Sequence, residues 1–160
     1  MSVPKSKRSE PKLHVHVELN KLVRHTLRKT ANLNKFGGER RFEIERDERG
    51  LPMAITEHAN VSRETIARHL QDAVLDAAKH AWQANDVMVG KRGQGYETRR
   101  FLQEASIRDL DTMLMLINLA REECGLSGRE VKYWVGLVET ARGLVRKWRD
   151  ADARRFRTSA

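Results

Sequence analysis

The stretch "VKYWVGLVETARGLVRKWRDADARRF", residues 131–156, decides the fold, because its apolar side chains recur at steps of three and four. On an α-helix this spacing forms one continuous seam, which is typical of the packed face of a helical bundle. The seam residues are Val131, Trp134, Val138, Ala141, Val145 and Trp148. Both tryptophans are therefore predicted to lie in a core, with a role in stacking on nucleotide bases as the less favoured alternative.

A start signal precedes this helix. Ser127 and Glu130 have the S-x-x-E spacing in which each side chain caps the backbone amide of the other residue. Helical periodicity predicts three earlier helices over residues 13–35, 62–89 and 94–124, separated by glycine-containing breaks. The core face predicted for the second of them consists of Ile66, Leu70, Ala73, Ala77, Ala81, Ala84 and Met88. Long helices with short connections predict an all-α, up-and-down four-helix bundle over residues 13–156.

Three segments lie outside this helical pattern. Residues 1–12 are basic and contain two prolines, and we expect a flexible arm that becomes ordered on a partner. Residues 39–59 form an insert between the first two helices, either an extended loop or a short β-hairpin around "DERG". In the hairpin alternative, Phe42 and Ile44 alternate on one strand, and Met53 and Ile55 on the other. Residues 157–160 form a tail.

Two helices carry apolar side chains on the side away from the predicted core. A helix that is apolar on two sides is expected to be buried on two sides. The sequence therefore predicts a homo-oligomer, with the alternative that the bundle or the insert covers these residues. The interface residues predicted are Leu75, Trp82, Phe101, Met115 and Leu119.

The overall charge points to a polyanionic partner. The 160-residue chain has a formal net charge of +9 and a pI near 10.1, which favours nucleic acid over a membrane surface. The sequence has no apolar run of membrane-spanning length and no signal-peptide pattern, so we expect a cytoplasmic protein. The single cysteine, Cys124, fits a reducing compartment and is interpreted as a small buried apolar residue.

The basic residues concentrate on the first and last predicted helices. On each helix they recur on one face with few acids, whereas a merely solvated face usually interleaves both signs. Arginine can hold phosphate in a bidentate way and stack on unpaired bases. We therefore predict an RNA-phosphate surface, with a basic solvated face that has no dedicated partner as the alternative. Its predicted residues are Lys21, Arg24, Arg28, Lys35, Arg142, Arg146, Arg149, Arg154 and Arg155.

The sequence gives weaker evidence for a metal-binding, phosphate-binding or catalytic site. His14, His16 and Glu18 would converge on a metal only in a strand, and this segment is predicted to be helical. The residues His69, Asp72, Asp76 and His80 share one helical face, but the chain has no Glu-x-x-His pair of the kind used by bundle metal sites. Local His–Asp pairing is the favoured alternative. The "GKRGQG" turn lacks the G-K-[ST] ending of a phosphate-binding loop. We predict no enzyme activity, no metal and no cofactor.

The last helix also resembles a known family. Its clusters Tyr133-Trp134, Gly136-Leu137-Val138, Leu144-Val145-Arg146, Trp148-Arg149 and Asp152-Ala153-Arg154 are similar to the closing helix of the accessory variability determinants, or Avd proteins, of diversity-generating retroelements. The opening "MSVPKSKR" looks like the start of many of these proteins. Related bundles are encoded in intervening sequences of bacterial large-subunit ribosomal RNA.

The resemblance implies a homopentameric barrel of four-helix bundles whose basic surface binds a reverse transcriptase and its template RNA. Such a protein supports mutagenic complementary-DNA synthesis and performs no chemistry itself. Within the matching motif, the implied basic surface includes Arg146, Arg149 and Arg154. The insert at 39–59 departs from the family pattern. The alternatives are an RNA-binding bundle of the ribosomal intervening-sequence type and a structural adaptor for an acidic protein partner.

Overall fold

The computed structural model describes residues 11–31, 41–58 and 61–156. Within these ranges the chain forms four α-helices and one two-stranded antiparallel sheet, as the sequence predicts. In chain order the elements are α1 (Pro11–Ala31), β1 (Arg41–Arg46), β2 (Pro52–His58), α2 (Val61–Asp86), α3 (Tyr96–Cys124) and α4 (Gly128–Phe156). The prediction of a flexible arm concerns mainly residues 1–10, which lie outside these ranges.

Four helix boundaries differ from the prediction by one to three residues, including the start of α2 at Val61 and the start of α3 at Tyr96. Helix α1 begins at Pro11, two residues early, because the fixed φ of proline suits the first turn of a helix. Helix α2 ends at Asp86, three residues before its predicted end. The prediction that Met88 lies on the core face is therefore wrong: it follows the helix and is 87% exposed.

The connection between α2 and α3 depends on one glycine. Gly95 immediately precedes α3 and has a φ of 84°, in the left-handed region that favours glycine. A Cβ atom at this position would lie 2.7 Å from the carbonyl oxygen of Met88. The turn therefore has no room for a side chain at Gly95.

Neighbouring helices run antiparallel around a square. Helix α1 packs against α2 and α4, and α3 packs against the same two helices from the other side. Polar contacts connect the neighbours within the interior. Trp134 Nε1 donates to Thr26 Oγ1 at 3.1 Å, and Ser106 Oγ donates to the carbonyl oxygen of Ala77 at 2.8 Å. These bonds satisfy polar groups that would otherwise be costly to bury.

The predicted seam of α4 forms its part of the core. Trp134, Val138, Ala141 and Val145 are fully buried, and Trp148 is nearly so, which confirms that both tryptophans are core residues. Helix α2 contributes mainly alanines to the same core, and these small side chains let its neighbours α1 and α3 approach closely. The buried alanines of α2 are Ala67, Ala73, Ala77, Ala81 and Ala84.

The predicted capping box is present at the start of α4. The amide of Ser127 donates to Glu130 Oε2 at 2.9 Å, and the amide of Glu130 donates to Ser127 Oγ at 3.2 Å. Glu130 Oε1 also accepts a hydrogen bond from Lys29 Nζ at 2.7 Å. The same carboxylate therefore caps α4 and ties it to α1.

The insert contains the predicted β-hairpin. Ile44 and Ile55 are cross-strand partners, and Asp47 Oδ1 closes the turn by accepting from the amides of Arg49 and Leu51. Gly50, with a φ of 78°, completes the turn. The apolar side chains Ile44, Met53 and Ile55 remain exposed.

A buried charge pair joins the start of α3 to the end of α4. Arg99 Nε lies 3.0 Å from Asp152 Oδ2, and both side chains are largely buried. The same carboxylate oxygen accepts a hydrogen bond from Gln103 Nε2 at 2.8 Å. The guanidinium of Arg99 also lies over the ring of Trp148, 5.2 Å from its centroid. Asp152 therefore anchors the last turns of α4 and positions the basic residues that follow it.

We expect Asp152→Asn to lower the free energy of unfolding by about 3 kcal/mol, because it leaves Arg99 buried without a counter-charge. The matched control is Asp150→Asn, which removes an exposed carboxylate paired with Arg149 on the same helix. This control should cost less than about 1 kcal/mol. Urea unfolding of both variants is the measurement, and equal midpoints would contradict the anchoring role of Asp152.

Candidate nucleic-acid interface

Charge is segregated between the two halves of the bundle. Helix α1 has five basic residues and one acid, and α4 has eight basic residues and four acids. By contrast, α2 has three basic residues and four acids, and α3 has four and six. Because α1 and α4 are neighbours, they form one strongly basic side. The candidate interface is the outward surface of these two helices.

On α1 the predicted cations lie together. Lys21, Arg24 and Arg28 are exposed and fall within a narrow arc opposite the core face. Lys21 Nζ lies 3.6 Å from Glu18 Oε1, an exposed pair of the kind that contributes little to stability. The guanidinium of Arg28 is turned back toward the carbonyl oxygen of Arg24. Lys35 lies outside the described residues.

Two of the arginines predicted on α4 have acidic partners. Arg142 Nη1 lies 2.7 Å from Asp111 Oδ1 on α3, so this arginine joins two helices. Arg149 Nε lies 3.3 Å from Asp150 Oδ1. Both arginines lie on the flank of α4 rather than on its outward face, and the spacing along one helix did not reveal the partner on α3.

The outward face of α4 carries cations that the sequence reasoning missed. Lys132 and Lys147 lie on the arc opposite the buried seam, beside the predicted Arg146, and all three are exposed. Within the described part of the chain, none of these three has an ion-pair partner. A helical projection centred on the seam would have found both lysines, since they lie opposite Trp134 and Val145.

Near the C-terminal end of α4, Arg154 extends this cationic face, whereas Arg155 projects on the side of Trp148, seven residues before it. Arg154 and Arg155 are exposed, as an RNA contact requires. The guanidinium of Arg155 lies 5.4 Å from the ring centroid of Phe156, so part of its surface is held against an aromatic face.

Two glycines lie on the same outward face. Apart from the backbone of α4 itself and the adjacent residues, no described atom lies within 4 Å of a Cβ placed on Gly136 or on Gly143. Glycine inside a helix costs up to about 1 kcal/mol relative to alanine. Here it leaves the surface flat between Lys132 and Lys147, so that a partner can approach the helix closely.

The histidines and acids considered as metal ligands are distributed over several faces of the bundle. His14 is exposed on α1, and the ring of His16 stacks on Trp82 at 4.7 Å. The favoured alternative of local His–Asp pairing is wrong for His80, because its Nδ1 lies 2.5 Å from Asp109 Oδ2 on the facing helix α3. Among the described residues, no three His, Cys, Asp or Glu side chains are placed to hold one metal ion.

Cys124 ends α3 and is half-buried. Burial raises the pKa of its thiol, which disfavours the reactive thiolate. Its surroundings are those of a packing residue rather than of a nucleophile.

The residues predicted to form a subunit interface are all exposed in the single chain. Their exposed fractions range from 43% to 62%. The described part of the chain leaves each of them at least 43% exposed, although the ring of His16 on α1 stacks on Trp82. This exposure does not support the alternative in which those parts of the bundle bury these side chains. The five residues are Leu75, Trp82, Phe101, Met115 and Leu119.

No protein-family model, curated protein sequence or solved structure matches this chain. The resemblance to the Avd family therefore rests on the clusters quoted from α4 and on the N-terminal stretch. Across the described ranges, no helix contains an apolar stretch long enough to cross a membrane.

One histidine is half-buried beneath the basic surface. His25 lies between α1 and α4, with its ring centroid 5.0 Å from Tyr133 and 5.7 Å from Trp134. Burial, with the nearby charges of Lys29 and Arg28, lowers the pKa of His25 below its usual value of 6.5. The folded protein therefore holds the neutral ring where the unfolded chain would bind a proton.

We expect the stabilising contribution of neutral His25 to be complete above about pH 6.5 and to be lost as the pH falls from there toward the lowered pKa of the folded state. The variant His25→Phe keeps an aromatic ring at this position and should lose less stability than the unchanged protein between about pH 7.5 and pH 5.5. Urea unfolding at both pH values is the measurement, with His14→Phe at an exposed position of α1 as control. An unchanged pH dependence in His25→Phe would contradict this role.

Proposed function

We propose that this protein is a nonenzymatic, RNA-binding accessory subunit of a diversity-generating retroelement. The observation that carries the RNA-binding part is the outward face of α4, where Lys132, Arg146 and Lys147 are exposed and lack ion-pair partners among the described residues. Unpaired cations on a rigid helix are available to phosphates, because no internal ion pair has to be broken first.

The spacing of this face suits a nucleic-acid backbone. Lys132 and Lys147 are separated by a helical rise of ~22 Å, with the two glycines between them. Arg146 supplies a planar fork for bidentate phosphate contacts. Arg154 continues the basic face at the end of the helix, where the Arg99–Asp152 pair anchors the last turns, and Arg155 adds an exposed cation on the adjoining side. RNA is thus held along α4.

Assembly of several copies increases the number of α4 faces that can bind one RNA. The exposed apolar residues of α2 and α3 supply surface that a second copy of the chain can bury. In a closed ring, proposed here as a pentamer, each copy presents one α4 face, and a long RNA engages several faces at once. Weak phosphate contacts then combine into firm binding.

The retroelement role rests on the resemblance of α4 to the Avd family. In this role the protein binds the reverse transcriptase and holds its template RNA near the polymerase during mutagenic complementary-DNA synthesis. The chain contributes positioning and charge, and the polymerase performs the chemistry.

We expect the double substitution Arg146→Glu with Lys147→Glu to weaken RNA binding about tenfold or more, because it removes two phosphate contacts and adds repulsion. The dependence of log affinity on log salt should become shallower by about 1.4 to 1.8, the sum for two lost contacts. Fluorescence anisotropy with the structured template RNA, between about 50 and 200 mM salt, measures both quantities.

The matched control is Lys91→Glu with Arg92→Glu, an adjacent exposed pair in the turn between α2 and α3 that changes the net charge equally. Its RNA affinity should fall far less. Equal losses in the two variants would show that net charge, and not the α4 face, governs binding. Circular dichroism and light scattering on both variants verify fold and assembly.

Co-purification of the protein with the reverse transcriptase encoded beside it and the template RNA tests the retroelement role. One particle that contains all three components is the expected result. RNA binding without the reverse transcriptase would favour a bundle of the ribosomal intervening-sequence type. Binding to an acidic protein without RNA would favour the structural adaptor.

A further inference from the structure

A groove runs between α2 and α3 on the side of the bundle away from the core. It has a volume of about 350 Å³ and two unlike walls. Helix α2 contributes His69, Asp72 and Asp76, whereas α3 contributes the apolar side chains of Met115 and Leu116. Asp109 adds a third carboxyl group to the lining. An occupant of this groove must therefore bring both apolar surface and positive charge.

The carboxyl groups of the groove are only partly compensated. Asp76 Oδ1 lies 3.4 Å from Lys79 Nζ in an exposed pair, and Asp109 pairs with His80. Asp72 is exposed and has no ion-pair partner in the described ranges. Beside the groove, α3 continues its apolar wall with exposed Phe101 and Leu119. The α2 side of the groove is acidic, whereas the α3 side is apolar around Met115 and Leu116 and also carries Asp109. Beside the groove, the guanidinium of Arg108 lies over the ring of Phe101, 5.9 Å from its centroid.

The same chain carries a surface of complementary composition. On α1, Val17, Lys21, Arg24 and Arg28 follow steps of four, three and four, which places them within one arc of about 60°. Val17 is 58% exposed, and the three cations are exposed. We call these four residues the α1 stripe. It spans ~16 Å along the helix, close to the ~15 Å rise along α3 between Asp109 and Leu119.

We propose that the groove between α2 and α3 binds the α1 stripe of a second copy of this chain. The cations of the stripe face the carboxylates of α2, and its valine packs toward the apolar wall of α3. Stripe and groove are different surfaces, so the contact is heterologous and repeats head to tail until a ring closes. This inference rests on the self-association in the proposed function and adds that Lys21, Arg24 and Arg28 belong to the subunit contact.

The outward face of α4 fits the groove less well. It carries the exposed acids Glu139 and Asp150, which would face the carboxylates of α2. At its centre it has glycines where the apolar wall of α3 needs a side chain to pack against. Within its arc of described residues, the α1 stripe has no acid. The two basic surfaces therefore bind different partners: α1 binds the next subunit, and α4 binds RNA.

A charge exchange within one full-length chain tests this contact. One variant reverses the stripe with Lys21→Glu and Arg24→Glu, a second reverses the groove with Asp72→Lys and Asp76→Lys, and a third combines all four changes. Multi-angle light scattering over a protein dilution series measures the mass. Each reversal alone should raise the concentration at which the assembly dissociates by at least about tenfold, and the combined variant should restore assembly.

The matched control for assembly is Arg146→Glu with Lys147→Glu, which should keep the mass of the unchanged protein while losing RNA. A milder set, Lys21→Gln with Arg24→Gln and Asp72→Asn with Asp76→Asn, repeats the test without repulsive charges and should show the same direction. Circular dichroism shows which of the two sets of variants is folded, and that set is used for the test. RNA affinity is measured on the same samples.

The proposal is overturned if either reversal leaves the mass unchanged or if the combined variant assembles no better than the single reversals. It is also overturned if the stripe reversal lowers RNA affinity at constant mass, because RNA would then be the partner of α1. A monomeric unchanged protein likewise overturns it. In that case the RNA affinity of the Arg146→Glu with Lys147→Glu variant still tests the RNA-binding part of the proposed function, independently of assembly.

Discussion

The structure depends on the packing of α4 against α1 and α3 through one apolar seam. Trp134 is fully buried in this seam, and its indole N–H is satisfied by the hydroxyl of Thr26 on α1. At the far end of the helix, Trp148 lies under the guanidinium of Arg99 from α3. A large aromatic side chain contributes much apolar area but must pair its polar atom, and here each neighbour of α4 supports one tryptophan. The two ends of the seam thereby set the position of α4 relative to both neighbours.

Positioning α4 in this way also sorts its charges by role. Cations on its flanks meet acids of the chain itself, as Arg142 meets Asp111 and Arg149 meets Asp150. Cations on the outward face, such as Arg146 and Lys147, meet none among the described residues. A paired arginine must exchange its acidic partner before it can bind a phosphate, whereas an unpaired arginine on a rigid helix is available. The basic composition of the chain therefore serves two purposes on the same helix.

Charge is distributed unevenly over the whole bundle. The excess positive charge lies on α1 and α4, and the excess acids and many exposed apolar residues lie on α2 and α3. Such a body has complementary sides, and head-to-tail association satisfies both at once. In the function proposed above, self-assembly and RNA binding use different surfaces and do not compete. The exposed hairpin, with Ile44 and Ile55 paired across its strands, lies outside this division and is an insertion on a bundle whose helices pack on one another.

The sequence by itself determined the helices, the seam and the capping box, because these depend on local spacing along one element. It also indicated the hairpin and the exposed apolar residues of α2 and α3. Only the tertiary structure decided which polar side chains are paired, since the partners of Arg142 and His80 lie on another helix, about thirty residues away in sequence. It likewise revealed the buried pair of Arg99 and Asp152, whose two charges look like solvated residues in the sequence. Periodicity describes one helix at a time, whereas ion pairs and grooves form between helices.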